Sequence, residues 1–206
     1  MNFLHRFIIG CFSTIYPSKL YGKENIPEGG ALISCNHFRA IDCGFIGRAY
    51  GKDIYFLAKN ELFKNKFFAK IIKSFGAVPI DREKPDIKTM LSVIKILKND
   101  HKLVIFPEGT RNKSGTDELQ PIKGGTALFS VKAKKPIVPT MILGRAKPFR
   151  KTRVLFGKPF ELSEFYDKKL TDEDLKRMDE ILVEKMKEVQ IELKQLSSKK
   201  KKNACN

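Results

Sequence analysis

Short apolar runs alternate with helical patterns along most of this 206-residue chain, and that alternation constrains the fold more than any other feature. An apolar run at 31–33 precedes a helical pattern over 41–50, and one at 54–58 precedes a pattern over 62–75. A third, at 77–80, precedes a helix in which Ile87, Met90, Leu91, Ile94 and Leu97 share one face. Residues 103–106 are all apolar, as in a strand buried on both faces, and a helix to about 134 follows. Runs at 137–143 and 153–156 complete the strands. Thr171-Asp172-Glu173-Asp174 opens a last helix, to about 196, as a capping box. Residues 17–30 are turn-rich and read as a loop. The pattern predicts a single α/β domain with a mostly parallel sheet flanked by helices.

Charge narrows the partners. The formal net charge is +17, and the run Lys199 to Lys202 supplies only four of those charges. A body this basic meets something anionic: a membrane leaflet, a phosphorylated substrate, an acidic carrier protein or nucleic acid. No P-loop, Gly-rich dinucleotide motif, internal repeat or nucleic-acid module is present. The four cysteines have no metal-ligand spacing, so reduced thiols are the simplest reading. Cys35 beside His37 reads as a small buried residue rather than a nucleophile.

Two segments carry membrane-like patterns. In 1–16, Leu4, Phe7, Ile8, Cys11, Phe12 and Ile15 recur at helical spacing. This is too short for a span, which takes about 20 apolar residues, and fits a helix lying in one leaflet or docked on the core. In 62–75, Phe63, Phe67, Phe68, Ile71, Ile72 and Phe75 alternate with Lys64, Lys66, Lys70 and Lys73. A leaflet-facing helix and a core helix with a solvated face both satisfy that pattern.

In parallel sheets, sites gather beyond the carboxyl ends of the strands. Here those ends carry His37 with Asp42, Lys59, Arg82, and Glu108-Gly109-Thr110-Arg111, with Lys123 further on. A carboxylate bound to an imidazole fixes its tautomer and raises its basicity, as a general base requires. A spacing of five lets the pair meet only if the chain turns between them. The plainer alternative is a histidine packed at a strand end and an aspartate starting a helix. Arginine and lysine at neighbouring strand ends suit a phosphate.

Four ordered blocks resemble the glycerolipid acyltransferases, most closely the 1-acyl-sn-glycerol-3-phosphate (lysophosphatidate) acyltransferases of bacterial type. They are Asn36-His37-Phe38-Arg39-Ala40-Ile41-Asp42, Gly76 to Arg82, Phe106 to Arg111, and Ile137-Val138-Pro139. Pro79 departs from the family, which often has an aromatic or aliphatic residue there. The resemblance covers about residues 22–160 and implies a glycerolipid-acyltransferase-like domain over 21–196; the apolar pattern before it reads as a membrane-interface helix over 1–20, and the lysine run after it as a basic disordered tail over 197–206. It implies acyl transfer from acyl-carrier protein or acyl-CoA to lysophosphatidate, at the cytoplasmic face of the membrane. An anionic membrane surface is the other partner, with no nucleic acid, metal or organic cofactor. His37 and Asp42 would be the general-base pair, and Lys59 and Gly109 the oxyanion donors. Arg82, Glu108, Gly109, Thr110, Arg111 and Lys123 would bind the phosphate and glycerol. Another acceptor, such as glycerol-3-phosphate, and a non-catalytic basic binding module are the alternatives.

Overall fold

The computed structural model of the chain describes residues 3–50, 54–81 and 87–202. Its elements are α1 (Phe3–Ile15), β1 (Ser18–Tyr21), β2 (Ala31–Cys35), α2 (Asp42–Tyr50), β3 (Ile54–Lys59) and α3 (Lys66–Ser74). They continue with β4 (Ala77–Ile80), α4 (Ile87–Lys98), β5 (Lys102–Ile105), α5 (Thr126–Ala133), β6 (Ile137–Leu143), β7 (Thr152–Phe156) and α6 (Asp172–Lys202). The strands form one sheet in the order β1-β7-β6-β2-β5-β3-β4. Every neighbouring pair is parallel except β6–β7, which is antiparallel. This is the mixed α/β architecture expected from the alternation of runs and helices.

β2 lies at the centre because each of its residues can be buried. Leu32 and Ser34 face one side, where the Ser34 hydroxyl meets the Met186 sulfur of α6 at 3.3 Å. Ala31, Ile33 and Cys35 face the other side, with Phe45 and Ile46 of α2. Two cores result. α4, α5 and α6 cover one face over Leu32, Leu103, Met141 and Leu155. α2 covers the other, with α1 joining through Phe12. Both faces being covered is what lets the central strands be almost continuously apolar.

Four differences from the sequence reading have physical causes. β1 lies in the stretch read as loop. Its four residues are only half-buried, and their strand character comes from pairing with β7 in register from Ser18–Thr152 to Tyr21–Leu155. The single helix expected over 62–75 is a 3-10 turn (Asn60–Phe63) followed by α3. The Asn65 side chain accepts the Phe68 N–H there and caps α3. α6 continues to Lys202, past the end expected near 196, since lysine is a good helix former, and the rest of the expected tail, 203–206, lies outside the described residues. α1 divides its apolar side: the Phe12 ring lies 5.2 Å from that of Phe45, while Phe7 is exposed.

Pro79 lies in β4, which is an edge strand paired only with β3, so its missing N–H breaks no second ladder. Gly76 precedes β4 with φ +82°, and a Cβ there would lie 2.1 Å from the Ile54 carbonyl oxygen. Both the left-handed backbone and this contact demand glycine. Gly76→Ala should therefore lower unfolding free energy by at least about 2 kcal/mol. Urea denaturation measures it, and a loss within error of zero would contradict the geometry.

Candidate active site

β2 delivers His37 to the carboxyl edge of the sheet, and the chain turns at once so that Asp42 can open α2. The turn depends on one carboxylate oxygen. Asp42 Oδ2 accepts the Phe38 N–H at 2.6 Å and the Arg39 N–H at 2.7 Å, and lies 3.0 Å from His37 Nδ1. The Asp42 N–H closes the same turn on the Arg39 carbonyl. A carboxylate only accepts, so Nδ1 carries the proton and Nε2 holds the free lone pair. A negative charge in the first turn of α2 also suits the helix dipole. The imidazole stacks on Phe106 with ring centroids 4.0 Å apart, and it is almost wholly buried.

Residues from two other strand ends hold this turn. The buried Asn36 side chain grips the backbone of Ile142 in β6, donating to its carbonyl at 3.0 Å and accepting its N–H at 2.8 Å. After β5, Glu108 Oε1 accepts the His37 N–H at 3.2 Å, and the Asn112 N–H donates to the His37 carbonyl at 2.7 Å. The Asn112 side chain in turn accepts the Ser114 N–H and donates to the Glu118 carbonyl. Thus both backbone groups of His37 are held by the 106–112 segment. Asn112 carried no role in the sequence reading. Its signal was an asparagine two residues before a serine, the pattern of an Asx turn.

The other candidates fall as follows. Glu108 is buried, and its Oε2 has no hydrogen-bond partner among the described residues, as is true of Asp42 Oδ1. Gly109 has φ +67°, and its N–H closes a turn on the Phe106 carbonyl, so that amide is not a free oxyanion donor. Lys123 lies against Gly109, where a Cβ would meet its Cδ at 2.6 Å, and its N–H donates to the Pro107 carbonyl. Lys59 ends β3 and is exposed, as is Thr110. Arg82 lies outside the described residues. Arg111 lines a pocket of about 360 Å³ with Arg39, Lys113 and Arg145, a set that does not include Lys59. A wider groove of about 1000 Å³ runs along α6 and involves none of these residues.

Among the described residues, no group of three or more His, Cys, Asp or Glu side chains gathers as metal ligands would. Burial pushes the Cys35 thiol well above its usual range, with Asp42 and Glu108 adding to the shift, so it stays protonated and unreactive. Glu108 is raised from 4.5 to about 7, first by burial, against which the His37 N–H acts, and then by the charge of Asp42.

The family model described as Acyltransferase matches residues 18–143, and the chain belongs to that family. It is 34% identical over 185 residues to a 1-acyl-sn-glycerol-3-phosphate acyltransferase of Bacillus subtilis, spanning 86% of this chain and 90% of that protein. A protein of the same name from Streptococcus pneumoniae is 33% identical over 158 residues, spanning 74% of this chain and 57% of that longer protein. The crystal structure of the 1-acyl-sn-glycerophosphate (LPA) acyltransferase PlsC from Thermotoga maritima shares the fold. It has a TM-score of 0.64 at 20% identity, with 90% of this chain and 80% of that one covered. Within its family the chain falls among the 1-acyl-sn-glycerol-3-phosphate acyltransferases.

The Glu108 shift has a fixed sign. At pH values below 4.5 the carboxyl is protonated in both the folded and the unfolded chain. Between 4.5 and about 7 the folded protein keeps a proton that the unfolded chain has released. The Glu108 contribution to stability therefore falls as pH rises through that window. Glu108→Gln retains an oxygen for the His37 N–H without the charge. Its melting temperature should match the wild type at pH 5 and exceed it by a few degrees at pH 8, roughly the effect of about 1 kcal/mol. A difference independent of pH would refute the shift.

Proposed function

We propose that this enzyme transfers a fatty acyl group from a thioester carrier to the sn-2 hydroxyl of 1-acyl-sn-glycerol-3-phosphate, giving phosphatidic acid. The observation that carries the reading is the buried His37–Asp42 pair, with Nε2 as its free base, in a chain of this family. The relatives' names support the acceptor.

The chemistry follows from the residues. A hydroxyl attacks a thioester poorly while it keeps its proton, and His37 Nε2 accepts that proton as the oxygen bonds to the carbonyl carbon. Asp42 steadies the imidazolium that forms. The tetrahedral intermediate then expels the sulfur, which takes the proton back from Nε2 and leaves as a thiol. The products are an ester and a free carrier thiol, with no acyl-enzyme. Lys59 supplies positive charge toward the oxyanion, since the Gly109 amide is engaged in its turn. The unpartnered Glu108 Oε2 offers an acceptor for a glycerol hydroxyl. Arg82, Thr110 and Lys123 serve the lysophosphatidate headgroup, with Arg111 at its margin.

The site works at the cytoplasmic surface of the membrane, with 21–196 as the catalytic domain and 1–20 as its interface helix. Exposed apolar side chains support this: Phe67 and Phe68 on α3, with Leu62 just before it, Ile87 and Leu91 on α4, and Phe7 on α1. The α3 phenylalanines lie among Lys64, Lys66 and Lys70, a combination drawn to anionic lipid. No described helix is long and apolar enough to cross a membrane.

His37→Ala should lose at least about a thousandfold in kcat while keeping its circular dichroism and lysophosphatidate binding. Phosphatidic acid formation at near-normal rate would end the general-base assignment. Phe67→Ser with Phe68→Ser should weaken co-sedimentation with anionic vesicles by several-fold and leave the melting temperature almost unchanged, because neither ring is buried. Undiminished co-sedimentation would remove α3 from the membrane face.

A further inference from the structure

The loop joining β6 to β7 carries a phenylalanine that the core does not use. Phe149 is 76% exposed, and its φ of +57° lies in the left-handed region. That region is costly for a bulky L residue, and glycine would hold the same turn without the cost. The turn is nevertheless fixed from two sides. The Phe149 N–H donates to the Ile15 carbonyl at 2.7 Å, and the Arg150 N–H to the Lys147 carbonyl at 3.2 Å. Arg39 Nη1 donates to the adjoining Ala146 carbonyl at 3.0 Å. A braced turn thus presents the ring to solvent in a conformation that its residue type disfavours.

The neighbours of the ring indicate what it meets. Ile15 ends α1, and Phe7, Cys11 and Ile15 recur four residues apart on an exposed face of that helix. Phe149 prolongs this apolar row past the end of α1. Lys147, Arg150 and Lys151 flank the ring and are exposed, and the chain has no acidic residue between Glu118 and Glu161. An aromatic ring among cations combines insertion below lipid headgroups with attraction to their negative charge. An acidic protein would answer the charge but not the apolar row on α1, so the surface fits a bilayer better. The loop leaves β6 at the same edge as His37, because β6 runs parallel to β2. Along that edge, β2 and β5 separate it from β3, which leads into α3.

We propose that the β6–β7 turn is a second membrane contact, with Phe149 seated below the headgroups of anionic lipid and Lys147, Arg150 and Lys151 at their phosphates. The proposal rests on the membrane-surface reading given above and adds to it a contact on the far side of His37 from α3. None of these four residues is assigned to either substrate.

The chain has no tryptophan, so Phe149→Trp supplies a sole fluorescent reporter. With vesicles of phosphatidylglycerol and phosphatidylcholine in equal parts, its emission should shift to the blue and be quenched by bromine on the lipid acyl chains. Phe149→Gly suits the left-handed backbone and should melt close to wild type. Its vesicle affinity, measured by co-sedimentation, should nevertheless fall about tenfold through loss of one inserted ring. Absence of shift and quenching in a Phe149→Trp protein that still co-sediments would overturn the proposal, as would undiminished affinity of Phe149→Gly. A shift on adding acyl-carrier protein but not vesicles would make the turn a protein-docking site and overturn it too. Failure of the wild type to bind these vesicles would instead refute the membrane-surface reading itself.

Discussion

One oxygen of Asp42 supports the whole candidate site. It closes the turn after β2 by taking two backbone N–H groups, and the same atom orients the imidazole of His37. Backbone shape and imidazole tautomer are therefore one constraint. The helix that follows cannot begin elsewhere without releasing the imidazole, because Asp42 is also the first residue of α2. Neighbouring strands reinforce the arrangement from both sides, Asn36 reaching β6 and the 106–112 segment holding both backbone groups of His37. An imidazole assembled this way has its orientation and tautomer fixed by the fold itself.

Two other titratable groups lie near His37, and their surroundings raise both. Burial holds the Cys35 thiol in its protonated form behind the strand. Glu108, under the combined influence of burial and Asp42, sits near neutrality instead of being fully ionised. Its Oε1 accepts the His37 N–H.

The architecture was legible where burial dictates residue type. The runs at 31–33, 103–106 and 137–143 had to be strands because both faces are covered, and their apolar continuity says so. β1 was illegible for the opposite reason: Ser18 to Tyr21 becomes a strand only through β7, far along the chain. His37, Asp42 and Glu108 were readable from residue type at strand ends. The support from Asn112 and the convergence of Arg39 and Arg145 with Arg111 were not, because they arise from loops after three different strands. The turn that engages the Gly109 amide with the Phe106 carbonyl was likewise illegible, since no residue code carries it.

Pro79 has a meaning beyond its departure from the family pattern. β4 ends the sheet, and the outward backbone of such a strand is a template on which another chain can add. A proline there deletes a donor from that template and stiffens the backbone around it. Copies crowded together in two dimensions meet far more often than copies in dilute solution. An edge that refuses to polymerise keeps such crowded copies apart, and the Pro79 ring in β4 contributes to that refusal.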